Sequence, residues 1–330
     1  MYWLQFIFSS IIIIMAGVHL THQADRLSEQ MNLGKAWVGI LLLGLITSLP
    51  EAITCVVAVG SLNADDLAVG NLLGSNNFNP MLIVLMDLVF RDQSVTNAIQ
   101  PLKSIRTSCW YILLLTIIVI LEILFPNTPH VGPLSFGGVI LVFVYITGMH
   151  RISVLSAGEH SAAGRPVVED SQKGSLTKTW INVIISAAVV VAAAMVLANS
   201  ADVIAEKTGL GRTFVGSIFV AIVTSLPEMV VTLSALKMGS LDLAVGNVFG
   251  SNMTNLSFIF LCSLVNPEGP VLNDVAPTHV LTAVVSMLLV IIAMTGIAKK
   301  GKPRFGPLGW DTWLMTTVFL AGSYWLYLLR

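Results

Sequence analysis

The chain has 330 residues, 55% hydrophobic and 11% charged, with a mean hydropathy of +0.84. Soluble domains carry roughly 25% charged residues, so this composition excludes a soluble globular protein and describes an all-α polytopic membrane protein. The net charge of -1 points to no nucleic-acid partner, and the hydropathy makes membrane lipid the surrounding partner.

A spanning helix needs about 20 apolar residues. Ten segments meet that need: 3–22, 35–59, 67–89, 107–125, 133–150, 180–200, 212–236, 242–265, 277–298 and 309–329. No Lys or Arg precedes Arg26, so the first run lacks the basic region of a cleaved signal and is expected to stay as a membrane helix. The longest polar stretch, 151–178, is rich in Ser, Gly and charge and reads as a linker. It divides the chain into halves of five segments, 1–150 and 179–330. Cys55, Cys109 and Cys262 are scattered without metal-ligand spacing and read as small apolar residues within helices. The six histidines do not cluster.

The halves are copies of one another. Ala24-Asp25 recurs as Ala201-Asp202, Leu33-Gly34 as Leu210-Gly211, Val38-Gly39 as Val215-Gly216 and Thr47 as Thr224, each pair 177 residues apart. Beyond the following turn the offset becomes 176, as in Gly70 and Gly246. Segments 2 and 7 are five apart, an odd number, so they cross the membrane in opposite senses. The expected fold is therefore ten transmembrane helices in two inverted five-helix repeats, with the repeated stretches at about 34–89 and 211–265, a plan that places binding sites near the midplane. Placing the N-terminus outside puts fourteen of the seventeen Lys and Arg residues in inner loops, leaving only Lys207, Arg212 and Arg330 outside. The positive-inside rule then sets both termini outside and the linker in the cytoplasm.

The repeated stretch carries the chemistry. The first copy reads Thr47-Ser48-Leu49-Pro50-Glu51, then Gly70, Asn71 and Gly74-Ser75-Asn76-Asn77-Phe78-Asn79; the second reads Thr224-Ser225-Leu226-Pro227-Glu228, then Gly246, Asn247 and Gly250-Ser251-Asn252-Met253-Thr254-Asn255. A carboxylate at bilayer depth is costly and marks function. Thr47 and Ser48 precede Glu51 by four and three residues, so the three share a helix face. Pro50 and Pro227 have no N–H, so the carbonyls of Ile46 and Val223 lose their usual helical donor, and in lipid such a carbonyl needs another partner. Carboxylates, hydroxyls and carbonyls are the oxygen ligands that Ca²⁺ and Na⁺ prefer. The pairs Gly70/Gly74 and Gly246/Gly250 form small-residue faces that allow close helix approach. They are expected to bring Ser75 and Asn79 against Glu51, and Ser251 and Asn255 against Glu228. A structural acceptor, a simple kink or a dimerisation face would each explain one of these features alone; matched recurrence of the whole set argues against them. Asp87, near the cytoplasmic end of its segment, is expected to cap or pack, and Glu122, near an outer helix end, to reach water.

These two stretches resemble the α-repeats of the cation/calcium exchanger superfamily, most of all its prokaryotic sodium/calcium exchangers. The resemblance implies an antiporter in a prokaryotic inner (plasma) membrane, without cofactor, in which both glutamates coordinate Ca²⁺ and Na⁺ in turn. It implies a metal site of Glu51, Glu228, Asn79, Asn255, Thr47, Thr224, Ser48, Ser225, Ser75 and Ser251, joined by the carbonyls of Gly44 and Ala221. By analogy, segments 1 and 6 would gate by sliding past the site bundle. Four features depart from the pattern. Ile46 and Val223 replace a glycine, Pro80 follows Asn79 without a counterpart at Leu256, Thr254 replaces Phe, and Asn255 stands where many relatives carry Asp.

The function read from the sequence is Na⁺/Ca²⁺ exchange by alternating access. Ca²⁺/H⁺ or K⁺-linked exchange on the same fold is the alternative, and a channel is a further one. An intramembrane enzyme is remote, since the helices carry no Ser/His dyad, paired catalytic Asp or HExxH motif. Stoichiometry and oligomeric state are left open. The charge split makes a testable prediction. A cysteine introduced at Ser161 is shielded from an impermeant thiol reagent in intact cells, and one at Asn127 reacts; the reverse pattern contradicts the N-out assignment.

Overall fold

A computed structural model describes residues 2–90, 93–126, 129–162, 175–207, 223–299 and 304–329. The described residues are helical apart from loops and two short hairpins. Eight helices among the described residues are long and apolar enough to span a bilayer, and they coincide with predicted segments 1 to 6, 8 and 9. Segment 10 is the helix Trp310–Leu328. Segment 7 is described from residue 223 onward; its first part, with Ala221, and residues 163–174 of the linker lie outside the described residues.

In chain order the helices are α1 (Tyr2–Gln30), α2 (Lys35–Trp37), α3 (Gly44–Thr47), α4 (Leu49–Leu62), α5 (Asp65–Val89), α6 (Val95–Ala98) and α7 (Lys103–Leu124). They continue with α8 (Phe136–Ala162), α9 (Leu176–Lys207), α10 (Leu226–Lys237), α11 (Leu241–Val265), α12 (Thr278–Ala298) and α13 (Trp310–Leu328). A hairpin, β1 (His130–Val131) with β2 (Leu134–Ser135), joins α7 to α8. Another, β3 (Arg304–Phe305) with β4 (Leu308–Gly309), joins α12 to α13. The hairpins thus occupy matching places in the two halves. Helix α8 continues to Ala162, so the polar run after residue 150 begins as helix.

Local chemistry explains the element ends. Helix α4 stops at Asn63, which adopts the left-handed conformation (φ 49°, ψ 44°), one that Asn tolerates better than most residues. Asp65 and Asp66 then open α5, where the positive end of the helix dipole favours carboxylates. Loops assigned to one side of the membrane meet one another. Lys35 Nζ lies 2.7 Å from Asp25 Oδ1, which also accepts from Ser240 Oγ at 2.9 Å. At the other side Asn266 Nδ2 donates to Asp65 Oδ2 at 2.9 Å and the Ala276 N–H to Asp66 Oδ1 at 2.7 Å.

Helices α5 and α11 form the centre of the bundle and cross each other, with α4, α7, α10 and α12 packed around them. Helices α1 and α9 pack along one another, and α1 touches the centre through α10 and the 38–43 turn. Their outward faces expose Phe8, Met15, Ile184 and Ile185, as a lipid-facing surface does. The tightest crossing is between the two halves. A Cβ on Gly250 would stand 2.1 Å from the Ile40 carbonyl oxygen, and one on Gly44 2.6 Å from the Gly250 carbonyl carbon. The expectation that Gly246 and Gly250 serve contacts within their own half is corrected: they face Ala36, Gly39, Ile40 and Gly44 of the first half.

The sequence reading missed the device that aligns this face. Residues Val38–Leu43 form a π-helical turn. In an α-helix Gly39 and Gly44, five apart, would point ~140° from each other. A π-turn closes from i to i+5 and brings both glycines to the side facing α11, whose Gly246 and Gly250 are one turn apart.

Two further expectations concern carboxylates. Asp87 does cap and pack: it accepts from the Val95 N–H at 2.6 Å, the Gly309 N–H at 2.9 Å, Thr312 Oγ1 at 2.7 Å and Ser94 Oγ at 3.3 Å, tying α5 to α6, β4 and α13. Glu122 does not reach water. It is 6% exposed, because α8 lays Gly137 directly over it.

Overpacking a backbone crossing of this kind costs about 1–3 kcal/mol or more. Gly250→Ala should therefore lower the melting temperature of the detergent-purified protein by several degrees. Gly60→Ala, whose added Cβ meets nothing closer than the Val265 carbonyl oxygen at 3.8 Å, should leave it unchanged.

Candidate cation site

The two glutamates stand at helix breaks. Between α3 and α4 the chain turns at Ser48 (φ -87°, ψ -1°), and before α10 it turns at Ser225 (φ -84°, ψ 10°). Pro50 and Pro227 follow as second residues of the new helices, where a missing N–H costs nothing. Glu51 and Glu228 therefore each lie in a first turn. The Ile46 carbonyl, expected to be without a donor, takes one from the Ser48 N–H inside the break.

Both glutamates are fully buried, as are Thr47, Ser48, Ser75, Asn79, Ser225, Ser251 and Asn255; Thr224 is 4% exposed. Thr47 and Ser48 belong to the first half yet serve the second. Ser48 Oγ donates to Glu228 Oε1 at 3.4 Å. Thr47 Oγ1 lies 3.2 Å from Ser251 Oγ and donates to the Leu43 carbonyl at 3.0 Å and to Asn247 Oδ1 at 3.3 Å. Ser251 Oγ reaches the Gly44 carbonyl at 3.4 Å. Ser251 thus pairs with Thr47 and Gly44 across the halves, where the sequence reading had set it against Glu228.

What distinguishes the site is its unpaired oxygens. Among the described residues, Glu51 Oε1 and Oε2, Glu228 Oε2, Ser75 Oγ, Asn79 Oδ1, Ser225 Oγ and both side-chain polar atoms of Asn255 are buried with no hydrogen-bond partner. A buried polar group without a partner costs about 1–3 kcal/mol, and more when charged. Here such groups come from four chain segments, the two breaks and the middles of α5 and α11. Among the described residues no three His, Cys, Asp or Glu side chains gather to hold a metal. The oxygens come from two carboxylates and a majority of neutral hydroxyls and amides, which are hard ligands suited to Na⁺ and Ca²⁺.

Two supporting residues escaped the sequence reading. Asn247 Nδ2 donates to Thr232 Oγ1 at 3.0 Å and to the Glu228 carbonyl at 3.4 Å while its Oδ1 accepts from Thr47. Asn252 bonds across to α5. The signal for both was their recurrence, with Asn71 and Asn76, at the repeat offset of 176.

The fold and this site define an integral membrane transporter with a central inverted repeat. The sodium/calcium exchanger protein family matches residues 1–150 and 178–330, and the chain belongs to that family, a family of cation/Ca²⁺ antiporters. It is 25% identical over 328 residues to the inner membrane protein YrbG of Escherichia coli, covering 96% of this chain and 94% of that one. It is 24% identical over 322 residues to the sodium/calcium exchanger MaX1 of Methanosarcina acetivorans, covering 87% and 89%. The fold is that of the sodium-calcium exchanger NCX_Mj, with a TM-score of 0.72 at 18% identity over 97% of this chain and 98% of that one.

Proposed function

We propose that this protein exchanges Na⁺ for Ca²⁺ across a prokaryotic inner membrane, with both ions as alternating cargo of one midplane site. Glu51 and Glu228 supply the charge. Asn79, Asn255, Ser75, Ser251, Thr47, Thr224, Ser48 and Ser225 supply neutral oxygens, and the Gly44 and Ala221 carbonyls complete the shell. The observation that carries this is the set of buried oxygens from both repeats, two carboxylates among them, that lack a partner among the described residues: a bound cation satisfies several such acceptors at once and balances their charge. MaX1 and NCX_Mj, named as sodium/calcium exchangers, support the choice of ions.

Charge balance makes the exchange obligatory. Two carboxylates are neutralised by one Ca²⁺ or by two Na⁺. A loaded site is then far cheaper to carry past the apolar core than one with two bare charges, so the carrier changes face only when filled. The α1/α9 pair, packed as a unit beside the site helices, is the element that shifts. The halves 1–150 and 179–330 are its two arms, with both termini outside and the 151–178 connection in the cytoplasm.

The test is Ca²⁺ uptake into vesicles driven separately by Na⁺, K⁺ and pH gradients. Uptake should follow the Na⁺ gradient; uptake driven by K⁺ or by pH alone would assign another coupling ion. Removing one charge from a buried balanced site costs about 3–5 kcal/mol. Glu51→Gln and Glu228→Gln should therefore each reduce Ca²⁺ uptake by at least about 100-fold, while the protein still inserts.

Asn255 keeps the count at two carboxylates. Wild-type flux should then vary little between mildly acidic and neutral pH. Asn255→Asp adds a third carboxylate that one Ca²⁺ cannot balance, so a proton or further cation must move with each cycle. Its Na⁺-driven Ca²⁺ flux should become steeper in pH than that of the wild type, measured side by side in the same vesicles.

A further inference from the structure

Pro80 lies inside α5 and has no counterpart at Leu256 of α11. A helical proline leaves the carbonyl four residues earlier without its donor, and in a bilayer such a carbonyl is satisfied by a neighbour. The freed group is the Asn76 carbonyl. It accepts from Asn252 Nδ2 at 3.1 Å and from Ser286 Oγ at 3.2 Å.

The backbone oxygen settles an orientation. A carbonyl can only accept, so the Asn252 atom facing it is the amide nitrogen, and Asn252 Oδ1 points the other way. Asn252 Oδ1 in turn accepts from Asn79 Nδ2 at 3.0 Å. The Asn79 amide is thereby fixed with its oxygen away from Asn252, and that oxygen is one of the buried atoms without a partner among the described residues.

The mirrored chain is incomplete. Asn76 Nδ2 donates to the Asn252 carbonyl at 3.2 Å, so that first step forms on both sides. Among the described residues, however, Asn76 Oδ1 has no partner, and neither do Nδ2 and Oδ1 of Asn255: the step from Asn252 to Asn79 has no equivalent from Asn76 to Asn255.

We propose that Asn252 is a positioning residue that locks the Asn79 amide with its oxygen toward the transported cation, while Asn255 is left free to turn. The two pseudo-equivalent asparagines thus differ in role. Asn79 is a permanent oxygen ligand. Asn255 presents oxygen to a bound cation or N–H to a carboxylate. This rests on the cation site proposed above.

The test is Na⁺-driven Ca²⁺ flux in vesicles. Asn252→Leu keeps size but removes the acceptor, and should raise the Ca²⁺ KM by about five-fold with little change in turnover. Asn79→Asp sets a carboxylate oxygen against Asn252 Oδ1 and should lose most transport, whereas Asn255→Asp retains it. Adding Asn252→Leu to Asn79→Asp removes that conflict and should partly restore flux, which damage to packing alone would not do. Additive losses in the double variant overturn the proposal, as does an unchanged KM in Asn252→Leu. Should Asn252→Leu fail to insert, equal losses in Asn79→Asp and Asn255→Asp overturn it. A wild type without Na⁺-driven Ca²⁺ flux would defeat the exchange reading instead. The orientation is then judged on purified variants by their stabilisation against heat with Ca²⁺, Na⁺ and K⁺ added singly, on the same expected ranking.

Discussion

Two negative charges held at bilayer depth are the constraint on which the rest of this structure depends. Glu51 and Glu228 are fully buried, and three of their four carboxylate oxygens have no hydrogen-bond partner among the described residues. Left alone, such charges would destabilise a helical bundle by several kcal/mol each. The surroundings answer this in two ways. Helix breaks at Ser48 and Ser225 place each carboxylate in the first turn of a helix, where the dipole favours negative charge. Hydroxyl and amide groups line the remaining space, so that the balancing charge can be a mobile ion in place of a fixed Lys or Arg. Among the described ion pairs none involves either glutamate. A fixed partner would stabilise the fold and abolish the reason for an ion to enter.

A second consequence is that neither half can complete its own site. Thr47 and Gly44 of the first half meet Ser251 of the second, and Ser48 meets Glu228. Side chains as short as Ser and Thr reach across only if the backbones nearly touch. The glycine crossing between residues 39–44 and α11 provides that proximity, and the π-turn at Val38–Leu43 keeps both glycines of the first half in line with it. Ion binding and the joining of the two halves are therefore one packing problem. Any rearrangement of the crossing displaces ligands from both repeats together.

The pseudo-symmetry is broken where the two central helices meet. Asn252 bonds the Asn76 carbonyl with its nitrogen and the Asn79 amide with its oxygen. Asn76 bonds the Asn252 carbonyl in the same way, but among the described residues its own oxygen has no partner and Asn255 is not held. A duplicated sequence begins with equivalent sites, and here the equivalent amides have become unequal. On the proposed exchange the cargo ions differ in charge and in number, and inequality between ligands fits that reading.

Much was determined by the sequence itself. Hydropathy required a membrane fold, the constant offset required a duplication, and an odd number of crossings inverted it. The Thr-Ser-Leu-Pro-Glu stretches marked the helix breaks, because proline's missing N–H and its fixed ring act within one turn of themselves. Asp87's capping role was legible for the same reason, being a carboxylate at a helix end. Tertiary structure alone decided which faces meet. Gly246 and Gly250 could have packed on either half, Glu122 could have faced water, and the amides of Asn79 and Asn255 look alike in the chain. These depend on groups from 15 to about two hundred residues apart in sequence, on backbone separations of a few ångströms, and on which acceptor a neighbouring helix presents. Periodicity and covalent chemistry are local and can be read along the chain; the partner of a helix face is a property of the folded whole.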